Sequence, residues 1–356
     1  MTLLGWIVVS AGFLGIIATA LPLLPIGAPA VRIWDFPRIQ IAALLSLALL
    51  SLPFAFEELN AFAGLLATAL IASLIWQVNA IIPYTQLRAR EVASASSDRP
   101  TAEIRLLAAN VLIENRSVSS LLRIISKKNP DVILLMETDA WWDEQLKTLK
   151  QTYPHVVAQP QENSYGMHLF SRFELENPHV RYLVDGQVPS IKTLVRLGSD
   201  FEVSLHCVHP EPPPFVNSEQ RDAELLIVGK DVRKDALPTI VAGDLNDVAW
   251  SKSTRLFQKV SGLLDPRIGR GMFNTFSAKL PFFLRWPLDH VFFSDQFHLV
   301  EVSVLDDIGS DHFPFFVHLA YFGGSSGEKP TATPDDKREA EQTIQEGRQL
   351  AANPDD

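Results

Sequence analysis

A chain of 356 residues with a formal net charge of −10 is long enough for two or three structural units. Its one cysteine, Cys207, excludes a disulfide framework and a cysteine-based zinc site. Residues 101–322 carry 22 Lys and Arg against 28 Asp and Glu, a net of −6. That balance suits poorly a non-specific grip on duplex DNA through phosphate neutralisation, but it allows one phosphate to be bound through a metal ion.

The N-terminal third is apolar, and its first charged side chain is Arg32. Leu3 to Leu24, Ile39 to Phe56 and Leu59 to about Ile82 form three apolar runs. A helix needs roughly 20 such residues, with about 17 as the lower limit, to cross a bilayer. The first and third runs meet this. The second is near the limit, and its alternative is a buried or re-entrant helix. No basic residue precedes the first run, which argues against a signal peptide. Arg32 and Arg38 lie between the first two runs, Glu57 and Glu58 between the second and third, and Arg88 and Arg90 after the third. The positive-inside rule then leans towards a cytoplasmic location for the large domain. The expected organisation is a membrane domain at 1–87, a polar linker at 88–100, a folded domain at 101–322 and a disordered tail at 323–356, with a solvated helix at Lys337–Leu350 as the alternative for the tail.

In the folded domain, Ile104–Ala108 reads as a strand. Val118, Leu121, Leu122 and Ile125 recur at helical spacing, with Ser117 as the expected N-cap and Asn129-Pro130 as the stop. Asp131–Met136 is a fully buried strand. Strand, helix, strand in this order suggests a layered α/β domain. Further strands are expected at Gly166–Ser171, Thr193–Leu197, Phe201–His206, Thr239–Ala242, Asp289–Ser294 and Phe315–Leu319, and a helix at Gln220–Lys234.

Polar residues repeatedly stand where apolar strands end. They are Asn110, Glu137, His209, the pair Asp244 and Asn246 in the turn Gly243-Asp-Leu-Asn246, and Asp311-His312. Alternate residues at a strand end point the same way, so Asp244 and Asn246 can face one reacting atom. His290 alternates to the face opposite Asp289 and is set aside, and His206 reads as structural.

Ala108-Ala-Asn110, Leu134-Leu-Met-Glu137, Tyr165-Gly-Met-His-Leu-Phe-Ser-Arg172, His206-Cys-Val-His-Pro210, Gly243-Asp-Leu-Asn246, Pro287-Leu-Asp-His-Val-Phe-Phe-Ser294 and Gly309-Ser-Asp-His312 stand in this order. In this the chain resembles the endonuclease/exonuclease/phosphatase superfamily with its DNase I-like fold. Three apolar spans and His209-Pro-Glu-Pro-Pro213 make it similar to the membrane-anchored bacterial branch, which includes teicoplanin-resistance membrane phosphoesterases. The resemblance implies an α/β four-layer sandwich, two mixed sheets flanked by helices, preceded by three transmembrane helices. It implies a multi-pass protein of the bacterial plasma membrane, and it leans towards an extracytoplasmic catalytic domain, against the arginine count.

By the same resemblance Glu137 is the metal carboxylate, with Asn110 beside it and Asp311 assigned to metal or hydrogen bonding. The metal would be Mg²⁺ or Mn²⁺, which take hard oxygen ligands. Asp289 and His312 form an orienting pair in which the carboxylate fixes the imidazole tautomer. Asp244 positions the nucleophile or protonates the leaving oxygen, and Asn246 and His209 donate to phosphoryl oxygens. Arg172 supports the site from behind. Phe282, Phe283 and Trp286 belong to an apolar loop expected to bind substrate by meeting the bilayer or an acyl or prenyl chain of a lipid-linked phosphate; core packing is the alternative. The expected activity is a metal-dependent phosphoesterase. A nuclease acting on DNA or RNA and an inactive membrane scaffold are the alternatives, and the full set from Asn110 to His312 argues against the scaffold.

Overall fold

The computed structural model describes residues 3–24, 26–56, 60–95, 100–198, 201–212, 218–325 and 327–353. Glu57, Glu58 and Pro213 lie outside the described residues, as does the stretch 96–99 of the expected linker. One compact unit runs to Arg88, and a second takes in Ala89–Pro212 and the chain from Glu219 onward.

The first unit holds α1 (Leu3–Ala20), the short α2 (Pro29–Arg32), α3 (Arg38–Ala55) and α4 (Ala61–Ile81). Three helical stretches, Leu3–Leu23, Arg38–Ala55 and Ala61–Tyr84, are long and apolar enough to cross a membrane, with mean hydropathies of 2.1, 1.7 and 2.0. The middle one has 18 residues and so meets the length criterion that the sequence left marginal. Small residues let the helices approach, as is common between membrane helices: a Cβ on Gly15 would lie 2.7 Å from Leu45 Cδ2. A buried polar chain ties the three helices together. Gln77 Nε2 donates to Thr19 Oγ1 at 2.9 Å, and Arg38 donates to Gln77 Oε1 at 3.1 Å and to Asp35. In an apolar setting each of these groups would be costly without its partner.

The second unit contains β1 (Ala102–Asn110), α5 (Val118–Lys128), β2 (Val132–Met136), α6 (Ala140–Leu146), β3 (His155–Gln159), β4 (Met167–Ser171), β5 (Glu174–Tyr182), β6 (Pro189–Arg196), β7 (Glu202–Val208), α7 (Ser218–Lys234), β8 (Thr239–Asp244), α8 (Lys252–Ser261), β9 (Asp289–Phe293), β10 (Phe297–Val304), β11 (Phe315–Tyr321) and α9 (Pro334–Ala352). Six strands pair in the order β10-β11-β1-β2-β4-β3, and five in the order β5-β6-β7-β8-β9. Each sheet mixes directions, with β1 parallel to β2 and β7 parallel to β8.

Period-two alternation sorts the side chains. β1 sends Ile104, Leu106 and Ala108 into the core between the sheets, and Leu107 and Ala109 to the outer side against α5 and α6. In the other sheet Ile240, Ala242, Val291 and Phe293 face inward, while Val241 and Phe292 pack outward against α7 and α8. Two sheets back to back with helices on both outer faces make the four layers.

Ser117 precedes α5 but makes no side-chain cap; the helix ends at Asn129, with φ +48°. From Pro334 onward the tail is a helix, the alternative to disorder, and it is packed against the domain rather than solvated. Thr333 and Asp336 form a reciprocal capping box at the start of α9. Ala340 and Ile344 are buried against Leu226, Leu256 and Val260. The segment is polar, but Ala340, Ile344 and Gly347 recur on one helical face. Its acids find lysines on α7 and α8: Lys230–Glu341 at 2.5 Å, Lys259–Asp336 at 2.8 Å, and Lys252–Glu339. Burying one Ile contributes about 1.5–3 kcal/mol, enough with these contacts to dock a short helix.

Candidate active site

The alternation that builds the core also places the site. Asn110, His209, Asp244 and Asp289 fall on the inward parity of β1, β7, β8 and β9, one step beyond the last buried apolar side chain or at the strand end itself. Asp244 and Asp289 are direct partners across the antiparallel β8–β9 pair. Polar groups from both sheets therefore meet at one rim of the sandwich, and the backbone N–H of Asp244 lies 3.2 Å from Met136 Sδ on the facing sheet. His290, of opposite parity, points away: its Nε2 bonds the Asp247 carbonyl oxygen at 2.9 Å.

Close backbone approach fixes the turn that carries Asp244. Gly243 has φ +154°, and a Cβ there would lie 1.8 Å from the Val208 carbonyl oxygen, so only glycine fits. Asn246 follows in the left-handed region at φ +49°, and Asp244 Oδ1 accepts from its backbone N–H at 2.9 Å. From behind, Arg221 donates to the Asn246 carbonyl oxygen at 2.9 Å.

Glu137 has outward parity, yet it reaches the site because its own φ is +60°, a strained conformation for a side chain of this size. The next residue holds it. The Thr138 N–H donates to the Gly166 carbonyl oxygen at 3.1 Å, and a Cβ on Gly166 would lie 1.8 Å from the Thr138 carbonyl oxygen. Thr138 Oγ1 is 2.9 Å from His168 Nδ1, and His168 Nε2 is 3.0 Å from Asp143 Oδ1. Thr138 and His168 are fully buried, so this relay can position Glu137 but cannot meet a substrate. The sequence reading missed it; the signal was a histidine inside the buried run Met167–Ser171.

Asn110 Nδ2 donates to Glu137 Oε1 at 2.8 Å and to Asp244 Oδ2 at 3.1 Å. Glu137 Oε2 accepts from the Ile113 N–H at 3.3 Å. Burial pushes the Glu137 carboxyl up to about 7 against these two hydrogen bonds, and the charges of Asp244 and Asp311 add to the rise. His312 Nδ1 is 2.8 Å from Asp289 Oδ2, and its Nε2 is 3.4 Å from Asp244 Oδ2. Burial alone would lower its pKa, but Asp244 and then Asp289 outweigh that and hold it up at about 10. Burial raises the Asp244 carboxyl. Burial lowers His209, whose Nε2 stands 3.9 Å from Asp244 Oδ2 and whose Nδ1 is buried without a hydrogen bond. Ligand atoms of Asp244, Asp289 and His312 lie within 4.8 Å of one another, a spacing that could hold a metal ion.

Asn110, Glu137, His209, Asp244, Asp289 and His312 thus come together as the sequence led us to expect. Asp311 is near enough for its charge to act on both Glu137 and His312. Asn246 adjoins them, but its Nδ2 spends one N–H on the Pro210 carbonyl oxygen at 3.0 Å. Arg172 does not back the site. It pairs with Asp131 at 3.6 Å, at the opposite end of the β2–β4 ladder from Glu137. His206 is buried within β7, and burial drives its pKa down to about 3. Phe282 and Phe283 are 78% and 58% exposed, and Trp286 is half-buried at the stem of their loop.

The family model "Endonuclease/Exonuclease/phosphatase family" matches residues 107–312. No curated protein sequence matches the chain. The structure of D. rerio TDP2 complexed with a single-strand DNA product is similar, with a TM-score of 0.52 at 16% identity over 61% of this chain and 98% of that one. A humanized D. rerio TDP2 with 14 mutations gives 0.51 at the same identity and coverages, and truncated Caenorhabditis elegans TDP2 gives 0.50 at 16% identity over 63% and 100%. Likenesses at such identities concern the fold, here a DNase I-like one. The family match spans more than half of the sequence, from the first core strand to His312, and by it the chain belongs to the endonuclease/exonuclease/phosphatase family, in general metal-dependent hydrolases of phosphoester bonds.

Proposed function

We propose that this chain is a membrane-anchored, divalent-metal-dependent phosphoesterase whose substrate carries its phosphate on an apolar chain. The observation that carries the reading is the continuous run of contacts from Asp289 through His312 to Asp244, Asn110 and Glu137. A divalent cation fits the acidic end of this run. Glu137 is buried beside two further carboxylates, and its hydrogen-bond donors are neutral; among the described residues no basic side chain bonds it. Glu137, Asn110 and Asp311 would hold Mg²⁺ or Mn²⁺. Asp244, Asp289 and His312 are a competing set, but Asp289 already engages the imidazole at 2.8 Å. A cation bound at Glu137 would supply Lewis-acid polarisation of a phosphoryl oxygen.

The chain's own groups divide the remaining work. Asp289 fixes the imidazole so that Nε2 faces the site. His312 Nε2 and Asp244 Oδ2, 3.4 Å apart, share one proton at neutral pH, and burial, which works against both charges, lets it rest on Asp244 and leaves the imidazole neutral. Nε2 can then take the proton of the attacking water, and Asp244 holds the one that the leaving oxygen needs. His209, neutral, and the second N–H of Asn246 donate to phosphoryl oxygens as charge develops.

The apolar part of the substrate is inferred from the loop before β9. Its stem closes with the Phe276 N–H donating to the Trp286 carbonyl oxygen at 2.9 Å, and the Phe276 ring lies 4.9 Å from that of His312. The Ala278 N–H donates to the Asp311 carbonyl oxygen at 2.6 Å. A tip bearing exposed Phe282 and Phe283 is thus rooted directly on catalytic residues, and exposed aromatic pairs of this kind mark contact with an apolar partner. Changing Phe282 and Phe283 together to Ser should slow turnover of a polyprenyl pyrophosphate or phospholipid in vesicles and spare a soluble chromogenic phosphodiester. Equal loss on both would remove the lipid reading, and preferential cleavage of plasmid DNA would establish a nuclease instead.

A further inference from the structure

Away from the catalytic rim, α7, α8, α9 and the segment before α9 border an open-sided cavity of about 240 Å³. Val260, Ala332 and Ala340 form its apolar part, and basic side chains surround it. Lys230 and Lys259 are taken up by Glu341 and Asp336, the ion pairs that dock α9. Arg233, Lys234 and Lys337 have no acidic partner among the described residues. Three uncompensated cations around one small cavity stand out in a protein whose net charge is −10.

Helix ends explain only part of this. Arg233 and Lys234 occupy the last turn of α7, and Lys259 that of α8, where a cation meets the negative end of the helix dipole. Lys337 lies near the start of α9, whose first turn already holds Asp335 and Asp336. At that end the dipole disfavours a cation. Lys337 there, turned to the same cavity as Arg233 and Lys234, completes a ring of exposed cations whose mutual repulsion a negative group between them would relieve. Gly262, which ends α8 at φ +74°, leaves the room that Arg233 uses: a Cβ there would lie 3.0 Å from Arg233 Nη1.

We propose that this cavity binds a phosphate-bearing anion and that the bound anion holds α9 in its docked position. Arg offers a planar fork suited to phosphate oxygens, and Lys a point charge. Drug-sized ligands occupy roughly 300–1,000 Å³, so the space takes a phosphate or pyrophosphate group rather than a whole cofactor. The same chemistry is presented by a free phosphate compound and by an anionic lipid headgroup. None of the residues from Asn110 to His312 that form the catalytic rim lines the cavity, so the site does not depend on the proposed reaction.

The test uses the full chain in phosphatidylcholine nanodiscs, with chelator present to silence any metal-bridged binding. Hydrogen exchange of the α9 amides is followed with and without inorganic pyrophosphate. At a ligand concentration about ten times its Kd, exchange should slow about tenfold. A parallel arm in phosphatidylglycerol nanodiscs without pyrophosphate should show the same slowing if the headgroup is the ligand. Arg233→Glu with Lys337→Glu should abolish either effect. The milder pair Arg233→Gln with Lys337→Gln should weaken it while α9 stays docked, as judged by its exchange without ligand. Slowing in neither arm, or equal slowing in wild type and the Glu pair, would overturn the proposal and leave these cations serving the helix ends alone.

Discussion

Replacing Asp289 by Asn keeps the geometry at His312 and removes the charge. The amide oxygen can still accept from Nδ1, across the 2.8 Å that separates the pair. The His312 pKa stands at about 10 against an ordinary 6.5, a difference worth roughly 5 kcal/mol at 1.36 kcal/mol per unit. Asp244 and Asp289 are its two main supports, so neutralising one should forfeit about 2 kcal/mol, or roughly 30-fold in stabilising the imidazolium that forms as water gives up its proton. The assay is hydrolysis of a soluble chromogenic phosphodiester by the full chain in detergent with Mn²⁺. We expect kcat to fall about 30-fold with KM little changed, the pattern of an interaction made in the transition state. An NMR titration of the cation-free chain should show the His312 pKa moved towards its ordinary value. A kcat within about threefold of wild type would refute an orienting and charge-stabilising role for Asp289.

Gly243→Ala should disrupt the β7–β8 pairing, because its Cβ would lie 1.8 Å from the Val208 carbonyl oxygen; we expect a loss of about 3 kcal/mol or more in a thermal melt, and an unchanged Tm would show that the turn is not held as described. His168→Asn should weaken Mn²⁺ binding about tenfold by calorimetry through loss of the hold on Thr138 and Glu137, whereas a Tm drop with unaltered Mn²⁺ affinity would make His168 merely structural. Glu224 is buried without a partner for Oε1, and burial pushes it up to about 8. An acid held protonated in the fold stabilises fully below its unfolded pKa and costs stability as pH rises through the folded value. Glu224→Gln should therefore leave stability at pH 4 unchanged and raise it by a few kcal/mol at pH 9; equal effects at both pH values would show that Glu224 is ionised in the fold.

The strands whose faces are both buried were visible in the sequence as apolar runs, and polar residues at their ends marked the rim. The edge strands β3 (His155–Gln159) and β5 (Glu174–Tyr182) were not: they are only partly buried, and their mixed composition carries no period-two signal, whereas the edge strand β9 is fully buried and was legible. Resemblance put Glu137 at the rim, where its side chain lies beside Asn110, while parity alone would have sent it outward; its positive φ goes with the hold that Gly166 and His168 have on Thr138. Arg172 misled for the opposite reason. Resemblance put it behind the site, but the strand Met167–Ser171 carries it to the far end of the ladder. The tail misled through composition, because its acids are matched by lysines that come together only after α7 and α8 have packed.

The decisive experiment is turnover by the purified full chain with and without Mn²⁺, comparing wild type with Glu137→Gln and His312→Ala. Metal-dependent hydrolysis of a phosphodiester that disappears with chelator and in both variants is the predicted result. Hydrolysis unaffected by chelator, or undiminished in either variant, would contradict a single metal-assisted centre built from the two sheets.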